Sequence, residues 1–197
     1  QMCIRDRYSN LSTGATTADP QILANLREAG LDALQISLLD AREAENDFFA
    51  GAPSFKQKQS AVRAARQLGF PITLNVVLHR QNLSRLQEII DLAVTWQVDR
   101  LELAHVQYTG WAFRNRSALL PSRAQVESAE QIVANARERT GDHLQILHVL
   151  PDYFQEYPKT CLNGWGQTFL TVAPDGVVLP CQTAREIPQL CFPNVQD

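Results

Sequence analysis

The fold of this chain follows from one stretch of its sequence, Pro71-Ile-Thr-Leu-Asn-Val-Val-Leu78. The run is nearly all apolar and rich in β-branched side chains, which is typical of a parallel strand covered on both faces. Gly69 ends a helical pattern just before the run, and an amphipathic pattern over Ser84–Trp96 follows it. The sequence therefore predicts a β-strand set between two helices, as in a βαβ unit.

The same alternation continues on both sides of this strand. Asp19 and Pro20 predict a helix that ends at Gly30, because aspartate caps helices and proline fits their first position. Two more helices are expected over about Ser54–Leu68 and Ser122–Arg139. Short apolar segments predict further strands at Ala33–Leu38, Leu101–Val106 and Leu144–Val149. This alternation predicts an α/β fold with a parallel sheet, either a barrel or an open sheet.

The composition excludes several classes of protein. The chain has 197 residues, of which 45% are hydrophobic and 20% charged, with a net charge of −3, as in ordinary globular proteins. Because Lys and Arg are spread singly along the predicted helices, we expect no nucleic-acid partner. No apolar stretch has the length of a membrane span, so we expect no membrane association. Four cysteines and no apolar leader favour a cytoplasmic protein.

Three regions are expected along the chain. Residues 1–7, which include Cys3, fit neither a strand nor a helix cap, and we treat them as a non-native leader. Residues 8–150 carry the alternating pattern. From Pro151 onward aromatic residues, prolines and turn signals replace that pattern, so we expect a different unit over residues 151–197.

The third region, residues 151–197, contains a predicted β-hairpin between two cysteines. Pro174-Asp175-Gly176 supplies the turn, Cys161 precedes it, and Cys181 follows Gly176 by five positions. Two thiolates that a hairpin holds near each other are typical of iron–sulfur or zinc sites. A pair of buried, inert thiols is the alternative, and the residues alone leave both interpretations open.

Polar residues follow the predicted strands at their carboxyl ends, where parallel α/β folds place their ligands. Any one of these side chains could simply bond to a neighbouring loop, but together they favour a ligand surface. By contrast, His143 and His148 show no metal-ligand spacing, so we expect them to be structural or surface residues. The polar strand-end residues are Asn10, Ser37 with Asp40, Asn75 with His79, and His105 with Gln107 and Tyr108.

Several strings of the sequence resemble one enzyme family. They include Ala104-His-Val-Gln-Tyr-Thr-Gly-Trp-Ala112, the segment Leu74–Leu83, and Gly164-Trp-Gly166. Over residues 8–197 the chain resembles the radical S-adenosylmethionine (SAM) enzymes of pyrroloquinoline quinone biosynthesis, which carry a SPASM extension. The resemblance implies the C-terminal part of a partial (β/α)6, TIM-like barrel, followed by the start of that extension with its hairpin.

The resemblance also implies cofactors and their ligands. These enzymes bind SAM and 4Fe-4S clusters, and by this matching Cys161 and Cys181 are ligands of an auxiliary cluster. Ser37 falls where the family contacts the ribose of SAM. The other residues expected to line the SAM and substrate cavity are Asn10, Asn75, His105 and Gln107.

The implied activity is that of a radical SAM oxidoreductase. It removes hydrogen from a glutamate of a ribosomal precursor peptide and joins that carbon to the ring of a tyrosine in the same peptide. A small peptide-chaperone protein and an electron donor are the other implied partners. Two alternatives are another SPASM peptide maturase with a different precursor, and a non-enzymatic βα scaffold that binds a peptide.

The sequence departs from the family at two places. It contains no Cys-x3-Cys-x2-Cys loop, which holds the SAM cluster in the family, so we expect the 197-residue chain by itself to be inactive. The family's Asp-Arg-Ile-Ala-Gly loop is here Asp47-Phe-Phe-Ala-Gly51. The chain therefore lacks the arginine that this loop would offer to SAM.

Overall fold

The structure is a computed structural model that describes residues 7–151, 153–154, 156–157 and 164–196. The chain forms two compact units. The first comprises residues up to Val106 together with Ala118–Leu150, and the second comprises Gln107–Ser117 and the residues from Pro151 onward. The chain thus leaves the first unit after the fourth strand and returns to it before the longest helix.

A five-stranded parallel sheet forms the centre of the first unit. The strands lie side by side in chain order, and every neighbouring pair is parallel. This arrangement confirms the predicted α/β class. The first strand was not predicted from the sequence, because its four residues are mostly polar and exposed and show no apolar period. The strands are β1 (Asn10–Thr13), β2 (Ala33–Leu38), β3 (Ile72–Leu78), β4 (Arg100–His105) and β5 (Gln145–Val149).

Helices connect the strands, and their caps follow the sequence signals. The Asp19 carboxylate accepts a hydrogen bond from Ile22 N at 2.8 Å and so caps α1 (Pro20–Glu28). A reciprocal capping box between Ser122 and Gln125 begins α7 (Arg123–Thr140). None of the helices in the described ranges is both long and apolar enough to span a membrane. The helices are α1 (Pro20–Glu28), α2 (Glu43–Ala50), α3 (Phe55–Gln67), α4 (Leu86–Thr95), α5 (Gly110–Arg114), α6 (Arg116–Leu119) and α7 (Arg123–Thr140).

The hydrophobic core lies between one face of the sheet and the helices α1, α3, α4 and α7. Alternate residues of β3 enter this core and are at most 1% exposed. Burial of this apolar surface is the main source of stability for the unit. The β3 residues in the core are Ile72, Leu74, Val76 and Leu78.

The opposite side of the sheet, here called the open face, is accessible. On β3 it carries Thr73, Asn75 and Val77, of which Val77 is 38% exposed. The sequence-based expectation that this strand is covered on both faces was therefore wrong for the described chain. The helices pack against one side only, and β-branched residues suit a half-exposed strand as well as a buried one.

The second unit contains the predicted hairpin, formed by β6 (Thr171–Val172) and β7 (Val178–Leu179). Gly176 N donates to Ala173 O at 2.8 Å and closes the turn. Gly176 has φ of 84°, and a Cβ at this position would lie 2.6 Å from Asn194 Oδ1. The turn therefore requires glycine both for its backbone angle and for the close approach of the Asn194 side chain.

Candidate active site

Three side chains form a row across the open face, here called the polar row: Ser37 of β2, Asn75 of β3 and Glu102 of β4. The strand register pairs Ser37 with Asn75, and Asn75 with Glu102. Asn75 Nδ2 donates a hydrogen bond to Glu102 Oε2 at 3.2 Å. All three residues are partly exposed. The polar row thus presents a hydroxyl, an amide and a carboxylate at one level of the sheet.

More polar side chains lie on the same face, two register pairs nearer the amino ends of the strands. Gln35 pairs with Thr73, and Ser12 Oγ donates to Gln35 Oε1 at 3.3 Å. Neither these residues nor Glu102 were singled out from the sequence. For Glu102 a signal exists, since it alternates with Leu101 and Leu103 and must face away from the core side of β4.

Asn10 is on the open face but not at the polar row. It is the first residue of β1 and pairs with Ala33, four residues before Ser37 along the neighbouring strand. That separation is about 13 Å at the usual rise of a strand. The sequence-based expectation treated Asn10 as a strand end, whereas the structure places it at the amino end of β1.

His105 lies on the core side of β4, with Leu101 and Leu103, rather than on the open face. It is 8% exposed, and its Nε2 is 3.3 Å from His148 Nε2 on β5. Gln107 belongs to the second unit. The structure therefore does not bring His105 to the polar row, because the side-chain parity of the strand, and not nearness to its end, decides which face a residue occupies.

A buried ion pair lies just beyond the carboxyl end of β2. Arg85 Nε donates to both oxygens of Asp40 at 3.0 and 2.9 Å, and its Nη2 lies 2.5 Å from Asp40 Oδ2. The Asp40 side chain is fully buried, and this bond raises the pKa of Arg85 above its ordinary value. The pair joins the loop after β2 to the turn that precedes α4.

Asn82 ties the carboxyl ends of β2 and β3 together. Its Nδ2 donates to Leu39 O at 3.2 Å and to Val77 O at 2.9 Å, while its Oδ1 accepts from His79 N at 2.9 Å. Burial lowers the pKa of His79, opposed by the charge of Asp40. His79 Nδ1 accepts from a backbone N–H at 3.3 Å, as a neutral imidazole can.

Asp47 organises the loop that leads into α3. One of its oxygens accepts hydrogen bonds from Ser54 N and Phe55 N, each at 2.9 Å. These bonds, led by that from Ser54, lower the pKa of Asp47. The carboxylate thereby caps the helix start from outside it. Phe48, which follows Asp47 on α2 and stands where the resembling family has arginine, is 74% exposed.

Of the predicted cluster ligands, Cys161 lies outside the described residues. Cys181 is partly exposed, and its Sγ is 3.3 Å from Thr183 Oγ1. Within the described ranges no group of three or more His, Cys, Asp or Glu residues could hold a metal ion. A 4Fe-4S cluster takes four thiolates, and the described part of the second unit supplies one of the two predicted ligands.

The chain is similar to known proteins over nearly its whole length. Residues 2–93 match the model of the radical SAM superfamily. The PqqA peptide cyclase of Xanthomonas euvesicatoria pv. vesicatoria is 44% identical over 191 residues, which cover 96% of this chain and 51% of the relative. Over nearly its whole length the chain is therefore similar to the PqqA peptide cyclases. The corresponding protein of Xanthomonas axonopodis pv. citri is 43% identical over the same lengths. The chain thus spans about half the length of the curated relatives it matches.

Solved structures of low sequence identity share the fold. SuiB of Streptococcus suis bound to S-adenosylmethionine aligns with a TM-score of 0.71 at 16% identity, covering 94% of this chain and 45% of that one. The protein anSMEcpe with bound AdoMet and Kp18Cys peptide aligns with a TM-score of 0.71 at 15% identity, covering 96% and 55%. The chain therefore shares its fold with these two proteins.

Proposed function

We propose that the chain serves in a radical SAM enzyme that modifies a precursor peptide, with the activity of the PqqA peptide cyclases. The observation that carries this proposal is the 44% identity over 191 residues to a protein of that name. The proposed reaction joins a side-chain carbon of a glutamate to a ring carbon of a tyrosine in one peptide. The proposed partners are that precursor peptide, a small peptide-chaperone protein and an electron donor.

The polar row has the chemistry that SAM requires. SAM carries a ribose diol, which hydroxyl and amide groups such as those of Ser37 and Asn75 can bind. It also carries a sulfonium and an ammonium group, and the Glu102 carboxylate provides a negative charge on the same face. Cleaved at a 4Fe-4S cluster, SAM supplies a hydrogen-abstracting radical. The residues of the polar row would bind and orient the nucleoside.

The proposed reaction balances as an oxidation of the peptide by two electrons. The glutamate carbon loses one hydrogen atom, and the new carbon–carbon bond forms to the tyrosine ring. The ring carbon then loses a proton and one electron, which passes to a redox acceptor. We propose an auxiliary cluster with Cys161 and Cys181 among its ligands as that acceptor.

A chimera tests the proposed activity directly. The 191 matched residues of this chain would replace the corresponding part of the Xanthomonas euvesicatoria PqqA peptide cyclase. After anaerobic reconstitution with iron and sulfide, the chimera is incubated with SAM, a reductant, the precursor peptide and its chaperone. We expect 5′-deoxyadenosine and a peptide that has lost two hydrogen atoms, with the cross-link located by tandem mass spectrometry.

Two variants of the chimera separate the site from the fold. Ser37→Ala should weaken SAM binding, because Ser37 belongs to the polar row, whereas Ser12→Ala changes a hydroxyl outside that row and should bind as the parent does. A folded, cluster-loaded chimera that consumes no SAM would contradict the proposal. SAM cleavage without a cross-linked product would point instead to a maturase for a different precursor.

The 197-residue chain alone is expected to cleave no SAM. Its sequence holds four cysteines, none of which forms a Cys-x3-Cys-x2-Cys loop. The measurement is liquid chromatography of the reconstituted chain after incubation with SAM and dithionite. Production of 5′-deoxyadenosine above a no-protein control would overturn this expectation.

A further inference from the structure

Lys58 is a buried cation that reaches from the helix layer to the carboxyl ends of two strands. It lies on α3 and is 4% exposed. Its Nζ donates to Gly14 O at 2.9 Å and to Ser37 O at 2.8 Å. Gly14 directly follows β1, and Ser37 is the penultimate residue of β2. One ammonium group thus bridges the ends of neighbouring parallel strands.

The bridge begins where the backbone ladder ends. The last register pair between β1 and β2 is Thr13 with Ile36. Lys58 therefore supplies hydrogen-bond donors to the two carbonyls just past the final pair. Without such donors, buried carbonyls at this position would lose the partners that backbone groups require.

Burying the charged amine of a lysine at this position has a free-energy cost. Lysine is almost never fully buried unless it is paired, and burial lowers the pKa of Lys58, opposed by the charge of Asp47. An apolar side chain of similar length would fill the same space without desolvating a charge. The retained amine therefore indicates a need for its directed hydrogen bonds rather than for packing volume.

Ser37 links this bridge to the polar row. The carbonyl of Ser37 is held by Lys58 from the core side, and its side chain lies on the open face beside its register partner Asn75. Because both groups stem from one residue, fixing the carbonyl also restricts where the hydroxyl can lie. The strand end that carries the hydroxyl is the last stretch of β2 before the loop to Asp40.

We propose that Lys58 is a positioning residue that holds the Ser37 hydroxyl in place for the ribose of SAM. The inference rests on the proposed function, since it assigns Ser37 to SAM. Lys58 acts only through Ser37 and the end of β2. Its loss should raise the dissociation constant for SAM about tenfold, the effect of one displaced hydrogen bond.

The first test needs no cofactor. Carbonyl ¹³C shifts of Gly14 and Ser37 are recorded in the 197-residue chain, in Lys58→Met and in Lys56→Met. Lys56 is on the same helix with a side chain 78% exposed, so its variant controls for loss of a charge. Both carbonyl signals should move in Lys58→Met and stay in Lys56→Met. Unmoved signals in Lys58→Met would overturn the bridge, whatever the chain binds.

The second test is a double-mutant cycle on SAM affinity, measured by equilibrium dialysis with the reconstituted chimera. If Lys58 acts through Ser37, Lys58→Met weakens binding in the parent but has no further effect in a Ser37→Ala background. Equal additive losses would show a general structural role and overturn the proposal. Failure of the parent chimera to bind SAM would overturn the proposed function, and with it this inference. If the parent binds SAM and Lys58→Met binds it equally well, the inference alone is overturned.

Lys58→Arg keeps the proposal testable if Lys58→Met does not fold. Arginine keeps the charge and several donors but places them in a rigid fork. We expect Lys58→Arg to retain cooperative unfolding and to recover part of the lost affinity. A folded Lys58→Arg that binds SAM no better than a folded Lys58→Met would argue against directed hydrogen bonds as the function of Lys58.

Discussion

Replacing Arg85 with methionine should strongly destabilise the first unit, because it strands the fully buried carboxylate of Asp40. The variant removes the three contacts that the Arg85 guanidinium makes with the Asp40 carboxylate. Of the hydrogen bonds described for that carboxylate, only the one donated by Arg42 N at 3.1 Å is then left. Breaking one side of a buried pair costs about 3–5 kcal/mol. For a domain of this size the corresponding fall in melting temperature is about 6–20 °C.

The assay is urea unfolding of the 197-residue chain followed by circular dichroism, with the free energy of unfolding taken by linear extrapolation. The double variant Asp40→Leu with Arg85→Met should recover most of the loss, since it leaves no unpaired buried charge. Arg42→Met is the matched control, because its ion pair with Glu88 is exposed and should leave the midpoint within error.

Two results would refute this reasoning. The first is a loss below about 1 kcal/mol for Arg85→Met, which is the range of an exposed pair. The second is a double variant whose loss equals the sum of the two single losses, which would show that the two side chains are not coupled. Either result would mean that Asp40 is solvated or finds another partner when Arg85 is removed.

Three further predictions concern the core, the hairpin and the response to pH. Leu74→Ala should lower the free energy of unfolding by about 2–5 kcal/mol, because Leu74 is 0% exposed in the core. A loss under about 1 kcal/mol, measured by urea unfolding, would contradict the burial of this side chain between the sheet and the helices. Gly176→Ala should speed hydrogen exchange of the Val195 amide, which donates to the Gly176 carbonyl. Adding Asn194→Gly should partly reverse this effect, because it removes the side chain that the new Cβ would meet. Unchanged exchange in Gly176→Ala would show that the turn accommodates the new Cβ. Burial lowers the pKa of His79, so as the pH falls through about 6.5 the imidazole is protonated in the unfolded chain before it is protonated in the folded chain. The free energy of unfolding should therefore fall in this range. An equal dependence on pH in His79→Gln would assign the loss to other groups.

Much of the fold could be predicted because its signals are local. The Asp19 cap, the proline after it and the glycine at the end of α1 each act within one turn of helix. The hairpin turn at Gly176 was likewise predictable, since only glycine adopts its backbone angle without strain. By contrast, β1 was not found, because its four residues carry no apolar period and owe their strand conformation to pairing with β2.

Less of the candidate site could be predicted from the sequence. Ser37 and Asn75 were named as site residues, and the register does place them side by side. Glu102 completes the polar row but was missed, whereas His105, at the end of the same strand, lies on the core side. Nearness to a strand end is visible in a sequence, but the face that a residue occupies depends on the side against which the helices pack.

The sequence by itself determined the alternation of helices and strands, the hairpin and the similarity to radical SAM proteins, since these depend on local preferences and on the order of residues. Only the tertiary structure decided which side of the sheet is open and which polar side chains are buried. Lys58 and Arg85 look in the sequence like ordinary residues of solvated helices. In the structure, however, Lys58 donates hydrogen bonds to backbone carbonyls at strand ends, and Arg85 binds a carboxylate just beyond one. These acceptors allow the long polar side chains to stay buried.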